Sequence, residues 1–423
     1  MMKNIFLKLI VLGATLNLVS CASGPRGELI GNPNKLSANS ATPVGMVWVP
    51  SGVMHMGASD QDVRSANDVK NRTIQMVGFY MDATEVTNSE YRQYVNWVKD
   101  STAHSLLGNF KDEDESGNQL IDWRKKIKWT SEEVTDAMFS YFIPASESIW
   151  GKKEFDNGKL MYHYEEFDYD QMAKNPNAPR SSYLRKYDIK AYPDTTVWMK
   201  MFTYSYNEPI THQYFWHPSF NNYPVVGVNW YQANAFAHWR TKFWRSYRDS
   251  KKVYQEGAFR LPSEEQWEWA ARGGRTQSPY PWGGPYLVNK KGCYYANFKP
   301  NRGNYSADGG LYTVRADAYN PNDYGLYNMS GNVSEWTSSP YVSAAYNQVA
   351  DMSPDIKLNT KDNDPIYWKR KSIRGGSWKD VAYYLQVSSR DYEFADTAKA
   401  YIGFRCITEF IAPALTNKRP KKN

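Results

Sequence analysis

Strand-like and helix-like hydrophobic patterns succeed one another along the first hundred residues of this chain. Residues 45–57 read GMVWVPSGVMHMG, and apolar positions that alternate around a Pro-Ser-Gly turn predict a β-hairpin. Residues 77–83 predict a further strand. Thr87, followed three positions later by Glu90, has the spacing of a capping box and predicts the start of a helix. Apolar residues at helical spacing continue from there: Tyr91, Tyr94, Val95 and Val98.

The second half of the chain carries similar signals. Residues 224–228, PVVGV, predict a short buried strand, and residues 231–244 predict a helix. A second capping box at 263–266 opens the helix EEQWEWAAR, which the glycine pair at 273–274 ends. Residues 280–345 are rich in Gly, Asn and Tyr and lack a regular pattern. We expect bound ions or a Trp/Asn network to satisfy the backbone polar groups of this loop tract.

Residues 101–222 differ from the sequence on either side. They are rich in Lys, Asp, Glu, Tyr and Trp and lack clean periodicity. Because a plain loop is rarely so long, we interpret them as an inserted subdomain. Within it, residues 196–206, TVWMKMFTYSY, alternate loosely and predict a strand.

Composition and charge exclude several classes of protein. The chain has 423 residues, of which 41% are hydrophobic and 22% charged, and these fractions exclude wholesale disorder. The net charge is +7, and Lys3 and Lys8 account for two of those charges, leaving +5. Four more basic residues lie in the tail at 411–423, so the body is close to neutral and no nucleic-acid surface is expected. The tail is either solvated or in weak contact with an anionic surface such as acidic lipid headgroups.

The N-terminus predicts a lipid anchor. Residues 1–20 combine basic positions with an apolar run too short to span a bilayer permanently, as in a secretory signal peptide. Residues 18–21, Leu-Val-Ser-Cys, resemble the bacterial lipoprotein box, in which the cysteine is acylated. We therefore expect Cys21 to carry the lipid and residues 21–44 to form a tether. The alternative is an ordinary signal peptide with an incidental cysteine.

Eight short motifs stand in a fixed order and together resemble the formylglycine-generating enzyme (sulfatase-modifying factor) family. They are GMVWVPSGVMHMG (45–57), FYMDATEVTNSEY (79–91), YPVVGVNWYQANAFAHW (223–239), RLPSEEQWEWAARGG (260–274), YPWG (280–283), YGLYNMSGNVSEWTSS (324–339), RGGSW (374–378) and GFRC (403–406). The resemblance implies an α+β, loop-rich fold, a variant of the C-type-lectin fold. It assigns residues 45–100 and 223–410 to this domain, interrupted by the insertion at 101–222.

The family's oxidase chemistry is not expected here. Its enzymes oxidise a substrate cysteine to formylglycine with copper held by two cysteines shortly after the GGS motif, since soft thiolates select Cu(I). In this chain Asp380 occupies the first of those positions, and no cysteine lies between Cys293 and Cys406. We therefore expect no copper and no enzyme activity. The family's disulfide partner for Cys406 corresponds to Ala237, so Cys406 is expected to be a buried free thiol unless Cys293 reaches it.

The resemblance also implies two structural calcium sites, because both loops hold hard oxygen donors. The first set is Asn328, Gly331, Val333 and Glu335. The second set is Asn297, Phe298, Asp308 and Gly310. The alternative is that these side chains cap turns without a metal ion.

Features outside the shared core are similar to one branch of the family. The predicted lipoprotein signal, SEYRQYVNWVKDST (89–102) and residues 192–230 resemble the gliding-motility and type IX secretion lipoproteins GldK/PorK of Bacteroidetes. This resemblance implies a non-catalytic scaffold on the periplasmic face of the outer membrane. Its expected partners are a GldN/PorN-like periplasmic protein and further copies of itself in a ring. A GldJ-like lipoprotein, outer-membrane components and peptidoglycan are further candidates.

Other functions remain open at the level of sequence. The chain could act like the sister lipoprotein GldJ, serve as a glycan- or peptidoglycan-binding module, or be a formylglycine-generating oxidase. An aromatic group in the insertion is a candidate partner interface, because such residues suit protein contacts. Its members are Tyr192, Trp198, Tyr204, Tyr206, Tyr214, Phe215 and Trp216. The alternative is that they form a private core for the insertion.

Overall fold

The computed structural model describes residues 42–58, 71–113, 119–148, 151–204, 208–250, 257–343, 350–358, 360 and 363–409. The predicted signal peptide (1–20), Cys21, most of the tether (21–44) and the basic tail (411–423) lie outside the described residues. Within the ranges described, no helix is both long enough and apolar enough to cross a bilayer.

Short strands and a few longer helices make up the regular structure. The strands are β1 (Met46–Val49), β2 (Gly52–Met56), β3 (Arg72–Met76), β4 (Phe79–Asp82), β5 (Phe110–Glu113), β6 (Gln119–Ile121), β7 (Phe142–Ile143), β8 (Glu154–Phe155), β9 (Met161–Phe167), β10 (Leu184–Lys190), β11 (Phe259–Arg260), β12 (Ser334–Pro340), β13 (Arg370–Arg374), β14 (Asp391–Phe394), β15 (Ile402–Gly403) and β16 (Ile407–Glu409). The helices are α1 (Asn88–Leu106), α2 (Glu132–Ala137), α3 (Tyr169–Lys174), α4 (Val197–Met201), α5 (Pro209–Gln213), α6 (Trp230–Ser250) and α7 (Glu264–Arg272).

Two four-stranded sheets carry the domain. The first has the order β1-β4-β16-β11 and is antiparallel, so that the first and last described strands lie in one sheet. The second has the order β14-β13-β12-β15, in which only the β12–β15 pair is parallel. Helix α7 packs against β12 and β13 of the second sheet and also against β2. This helix therefore joins the amino-terminal strands to the carboxy-terminal sheet.

Both predicted capping boxes are present. The Thr87 hydroxyl accepts from the Glu90 backbone N–H at the start of α1, and the Glu90 carboxylate accepts from the Thr87 N–H. Ser263 and Gln266 make the same reciprocal pair at the start of α7. Helix α7 ends at Gly273, whose φ of 59° is the left-handed conformation that favours glycine. The predicted helix at 231–244 is α6, which extends to Ser250.

The predicted hairpin at 45–57 is wrong. Strand β1 pairs with β4, whereas β2 pairs with β3 in a separate two-stranded sheet. The chain changes sheet at the turn because the indole of Trp269 packs there: its Nε1 donates to the Pro50 carbonyl at 2.8 Å. A Cβ on Gly52 would lie 2.9 Å from that ring, so only glycine leaves room for it.

Two further strands, predicted at 196–206 and 224–228, are absent from the described residues of those segments. The segment 196–206 forms helix α4 at Val197–Met201, because Asp194 accepts from both the backbone N–H and the hydroxyl of Thr196 and turns the chain. The segment 224–228 is buried but its backbone bonds to several different segments. Val225 donates to the Val86 carbonyl and Gly227 to that of Lys399, so no continuous strand ladder forms.

Aromatic packing between α1 and α6 forms the largest core. Tyr91 of α1 stacks on Phe236 of α6 with ring centroids 5.6 Å apart and also meets Phe404 edge-on. Residues of the insertion complete this core: Leu160, Tyr162, Ala191 and Phe215. The earlier part of the insertion has a small core of its own, in which Val134 and Met138 pack against Ala103 of α1. The insertion is thus built onto the domain through both clusters.

The loop-rich tract is confirmed. Residues 273–333, all of which the structure describes, contain no helix or strand between α7 and β12. Side-chain amides take over much of the backbone hydrogen bonding. Asn322 donates to the carbonyls of Ala270 and Ala271 and accepts from the N–H of Leu326. The expected Asn network is therefore present here.

Candidate functional site

A buried network of charges lies where α7 packs on the second sheet. Glu264 accepts from Arg390 Nε at 2.5 Å and from Arg374 Nη1 at 3.1 Å. Glu268 accepts from Arg374 Nη2 and from Arg272 Nη2, both at 2.6 Å. Burial alone would raise the pKa of Glu264, but Arg390 and Arg374 outweigh it and hold that pKa below its usual range. Both carboxylates are therefore committed to internal ion pairs.

A shallow depression, open to solvent, lies beside this network, at the ends of β13 and β14. Arg374 and Arg390 line it together with Asp380, Tyr384 and Asp391. Burial, aided by nearby Asp380, raises the pKa of Asp391. The guanidinium groups in the lining already hold Glu264 and Glu268. The lining therefore contains the Asp391 carboxylate and the Tyr384 phenol, but no thiol.

The Asp380 side chain stabilises the turn after β13. Its Oδ2 accepts from the Ser377 backbone N–H at 3.0 Å and from the Ser377 hydroxyl at 2.6 Å. Its Oδ1 accepts from Lys379 Nζ at 2.6 Å. Both oxygens thus have donors within the same turn, which gives this carboxylate a structural role.

The first predicted calcium set lies in the loop before β12 and within that strand. Its single carboxylate, Glu335, is fully buried and accepts from Arg405 Nη2 at 2.6 Å, Arg405 Nε at 2.8 Å and Trp267 Nε1 at 2.8 Å. Asn328 has a φ of 51° and donates to the Ala316 carbonyl. A cation here would compete with Arg405 for Glu335, so this arrangement does not suit calcium.

The second predicted set retains an oxygen without a partner. Asn297 is buried and donates to the Tyr312 carbonyl at 2.7 Å, while its Oδ1 accepts no hydrogen bond. The Asp308 carboxylate accepts from the backbone N–H groups of Phe298 and Gly310. Burial raises the pKa of Asp308. A buried amide oxygen beside a carboxylate and main-chain carbonyls is a donor set that fits calcium.

The two predicted sets meet at one close backbone contact. Gly331 has a φ of 87°, and a Cβ there would lie 2.3 Å from the Asn297 carbonyl oxygen. The next residue, Asn332, donates its N–H to that same carbonyl at 2.8 Å. Across the described residues, no three His, Cys, Asp or Glu side chains form a group suited to a metal ion. Calcium at the second set would therefore be held by one carboxylate, that of Asp308, together with amide and main-chain oxygens.

A buried glutamate that the sequence did not single out lies against the first set. Glu85 is fully buried, and its carboxylate accepts from Asn332 Nδ2 at 2.9 Å and from Asn328 Nδ2 at 3.2 Å. Burial raises the pKa of Glu85 to about 8; Arg405 opposes this shift and Glu335 adds to it. The only sequence signal was its position inside the motif FYMDATEVTNSEY, which does not distinguish a buried carboxylate from an exposed one.

Comparison with known proteins decides the family. The model of the sulfatase-modifying factor enzyme 1-like domain matches residues 33–410 of this chain. The chain belongs to that family. The predicted family and its α+β fold class are thereby confirmed. The structure of PvdO from Pseudomonas aeruginosa is similar at a TM-score of 0.48 and 17% identity, covering 86% of this chain and 94% of that one.

Relatives within the sulfatase-modifying factor family include enzymes and an inactive form. Mouse formylglycine-generating enzyme is 26% identical over 377 residues, which cover 87% of this chain and 76% of the mouse protein. The bovine protein named inactive C-alpha-formylglycine-generating enzyme 2 is 26% identical over 382 residues, covering 88% and 90%. Family membership alone therefore does not decide whether this chain is catalytic.

The two cysteines among the described residues, Cys293 and Cys406, are free thiols. Cys293 is exposed and Cys406 is buried, and neither forms a disulfide, as expected from the replacement of a partner by Ala237. The backbone N–H of Cys406 donates to Asp82. Burial, with nearby Asp82, raises the pKa of the Cys406 thiol far above its usual range. A protonated thiol in the core is a weak nucleophile and a poor metal ligand.

Burial corrects the predicted aromatic interface. Trp198, Tyr214 and Phe215 are 1 to 4% exposed and pack in the core, so they cannot meet a partner from where they lie. Tyr204 is 99% exposed and Trp216 is 44% exposed, whereas Tyr192 is half-buried and accepts a hydrogen bond from Trp216 Nε1. Tyr206 lies outside the described residues. The sequence did not separate the buried from the exposed aromatic residues, because alternation predicts the two faces of a strand whereas α4 and α5 are helices.

Proposed function

We propose that this chain is a non-catalytic lipoprotein of the gliding-motility and type IX secretion machinery. In this proposal an acyl group on Cys21 holds it at the periplasmic face of the outer membrane. There it forms a ring scaffold with a GldN/PorN-like periplasmic partner. The observation that carries the non-catalytic part is Asp380: it stands at the position of the first copper-binding cysteine, and the turn itself takes up its carboxylate.

The positions of the cysteines and the ion pairs beside the depression support the same proposal. The enzymes of the family hold their copper with two cysteines, since soft thiolates select Cu(I). The chain has three cysteines in all; Cys21 is the proposed anchor, Cys293 is exposed and Cys406 is buried beside Asp82. The guanidinium groups of Arg374 and Arg390 are held by Glu264 and Glu268. What remains is a well-ordered framework that can bind a partner without turning over a substrate.

Two exposed aromatic residues offer a contact for such a partner. Tyr204 lies just after the end of α4, and Trp216 lies just after the end of α5. These two helices pack against each other. Their neighbours Trp198 and Tyr214 are buried in a cluster with Trp378, so the outer rings stand on a rigid base. Exposed Tyr and Trp on a rigid support are common anchors of protein interfaces.

The size of the native assembly tests this proposal. We expect a tagged chain, extracted from membranes in mild detergent, to migrate as a particle much larger than a monomer and to bring a soluble periplasmic partner with it. Tyr204→Ser combined with Trp216→Ser should remove the large particle while leaving the fold intact. Size-exclusion chromatography with mass spectrometry of the co-purifying proteins measures both outcomes.

The control for this experiment is another pair of exposed aromatic residues. Phe139 and Tyr286 are 68% and 75% exposed, and Phe139→Ser with Tyr286→Ser should leave the particle unchanged. A monomer without any partner in the unsubstituted protein would overturn the scaffold. Oxygen consumption with copper and a cysteine peptide of the sulfatase motif, above the rate without enzyme, would overturn the non-catalytic part.

We also propose that calcium binds the second set and holds the loop tract together. A ligand present at about a hundred times its dissociation constant stabilises the native state by about 2.7 kcal/mol. Removing calcium with a chelator should therefore lower the melting temperature, and Asp308→Asn should abolish most of that difference. Asn328→Ala, in the first set, is the matched control and should leave the calcium response in place. An identical response in the Asp308 variant would contradict calcium at this set.

A further inference from the structure

The last third of α6 leaves the core and presents aromatic and basic side chains to the outside. The helix is largely buried up to Thr241. Beyond it Lys242 and Arg245 are exposed, and Phe243 and Tyr247 are 55% and 52% exposed. We call these four residues the basic-aromatic face. Aromatic rings beside basic side chains on one helix are typical of helices that lie at a membrane surface.

Buried tryptophans hold the two aromatic rings in place. Phe243 stacks on Trp239 with ring centroids 5.4 Å apart, and Tyr247 lies 5.8 Å from Trp244. Trp239 belongs to the main core and Trp244 packs against it. The outer rings therefore lose little conformational freedom when they enter a lipid headgroup region, which lowers the entropic cost of contact.

Two basic side chains, Lys242 and Arg245, bring positive charge to this face. His238 lies on α6 one turn before Lys242, and its pKa falls to about 4 because of burial and then because of Lys242 and Arg245. Lys242 and Arg245 are both exposed, so their charges face the solvent. An anionic surface complements these charges, and each basic residue near it adds to the affinity.

The first described residues of the chain lie beside α6, the helix that carries this face. Arg240 of α6 donates from Nη2 to the carbonyl of Val44 and from Nη1 to Asp82, so the described chain begins beside this helix. Val44 is 23 residues after Cys21 and is 81% exposed. A random-coil chain of 23 residues has an average end-to-end distance of about 25 Å. A lipid on Cys21 would therefore keep the surface around Val44 close to the bilayer.

We propose that the basic-aromatic face binds the anionic phospholipid headgroups of the membrane in which the chain is anchored. The inference rests on the proposed lipid anchor, which brings this end of α6 to the membrane. The contact would orient the body, because a single tether leaves it free to rotate whereas a second contact point does not. Phe243 and Tyr247 would insert at headgroup level, and Lys242 and Arg245 would bind phosphate.

Vesicle binding by the chain without its lipid tests this contact. The mature chain, residues 21–423 with Cys21→Ser, is mixed with vesicles of phosphatidylethanolamine and phosphatidylglycerol and sedimented. We expect binding that decreases as salt is added and that is absent with phosphatidylcholine vesicles. Lys242→Gln with Arg245→Gln should lower the partition coefficient about 30-fold, since each basic residue near an anionic surface contributes roughly fivefold.

Matched variants separate this face from general surface properties. Lys290→Gln with Lys291→Gln removes two exposed charges elsewhere and should leave binding within about twofold of the parent chain. Phe243→Ser with Tyr247→Ser should also weaken binding, and near-ultraviolet circular dichroism checks that these variants fold. Equal losses in both charge pairs, or no binding to anionic vesicles by the parent chain, would overturn the proposal.

The anchor is tested separately from the face. Acylation of Cys21 in cells is read from the mass of the mature N-terminal peptide. Binding of the unacylated chain to anionic vesicles without acylation in cells would overturn the anchor and leave the lipid-binding face standing. Acylation in cells without vesicle binding would leave the anchor standing and overturn the face.

Discussion

Arg405→Met is expected to lower the free energy of unfolding by about 3 to 5 kcal/mol, the cost of leaving a buried charge without its partner. Arg405 is fully buried and supplies two of the three hydrogen bonds that Glu335 receives. It also donates to the carbonyls of Asp82, Ala83 and Tyr327. Methionine fills much of the volume but satisfies none of these acceptors. Urea-induced unfolding of the mature chain, followed by tryptophan fluorescence, measures the change.

Two variants isolate the buried charge. Arg405→Met combined with Glu335→Gln should recover part of the loss, because no unpaired carboxylate is then left in the core. Arg315→Met breaks an ion pair with Asp317 in which both side chains are about half exposed, and it should leave the unfolding midpoint unchanged. A loss for Arg405→Met no larger than that for Arg315→Met would contradict a stabilising role for the pair.

Local signals were sufficient to predict the helix starts. Thr87 with Glu90, and Ser263 with Gln266, make contacts between residues three positions apart, which the chain can form before any tertiary packing. The hairpin at 45–57 failed for the opposite reason. Trp269, which holds the turn between β1 and β2, lies 219 positions after Pro50. Alternation of apolar residues identifies strands but does not identify their partners.

The same distinction applies to the candidate site. The family motifs indicated that the loops around Asn297 and Asn328 come together, and the close approach of Gly331 to Asn297 is the contact that joins them. They did not indicate what each carboxylate binds. Arg405 is 70 positions after Glu335, and an ion pair or a metal ion would satisfy that carboxylate equally well as far as sequence spacing can tell. Only the packed structure distinguishes the two.

The proposed absence of catalysis is compatible with the retained fold, because the ion pairs of the framework do not involve copper. The ion pairs of Glu264 and Glu268 with Arg374 tie α7 to β13, and Asp380 closes the turn that follows. Substituting a cysteine at position 380 would remove the acceptor for Ser377 and Lys379. Asp380 thus stabilises the turn through hydrogen bonds that a cysteine binding a metal ion would not make. This arrangement agrees with the non-catalytic role proposed above.

Stability is expected to fall as pH rises from about 5 to about 8, because of Glu85. Its pKa in the native state is raised from 4.5 to about 8, chiefly by burial, so the native protein keeps a proton there that the unfolded chain has already lost. The unfolded state then binds fewer protons, and the free energy of unfolding decreases with pH. At about 1.4 kcal/mol per pKa unit, this effect reaches at most about 5 kcal/mol. Below the unfolded value both states are protonated and the effect vanishes.

Glu85→Gln should remove this pH dependence, because the amide keeps the shape of the neutral acid and cannot ionise. Its stability curve should meet that of the parent protein near about pH 4.5 and lie above it at about pH 8, where the parent carries a buried carboxylate beside Glu335. Urea unfolding at a series of pH values measures both curves. Glu133→Gln, an exposed substitution in α2, is the control and should run parallel to the parent. Parallel curves for Glu85→Gln and the parent across this range would mean that Glu85 is already ionised in the folded protein, with Arg405 and the amides of Asn328 and Asn332 compensating for its burial.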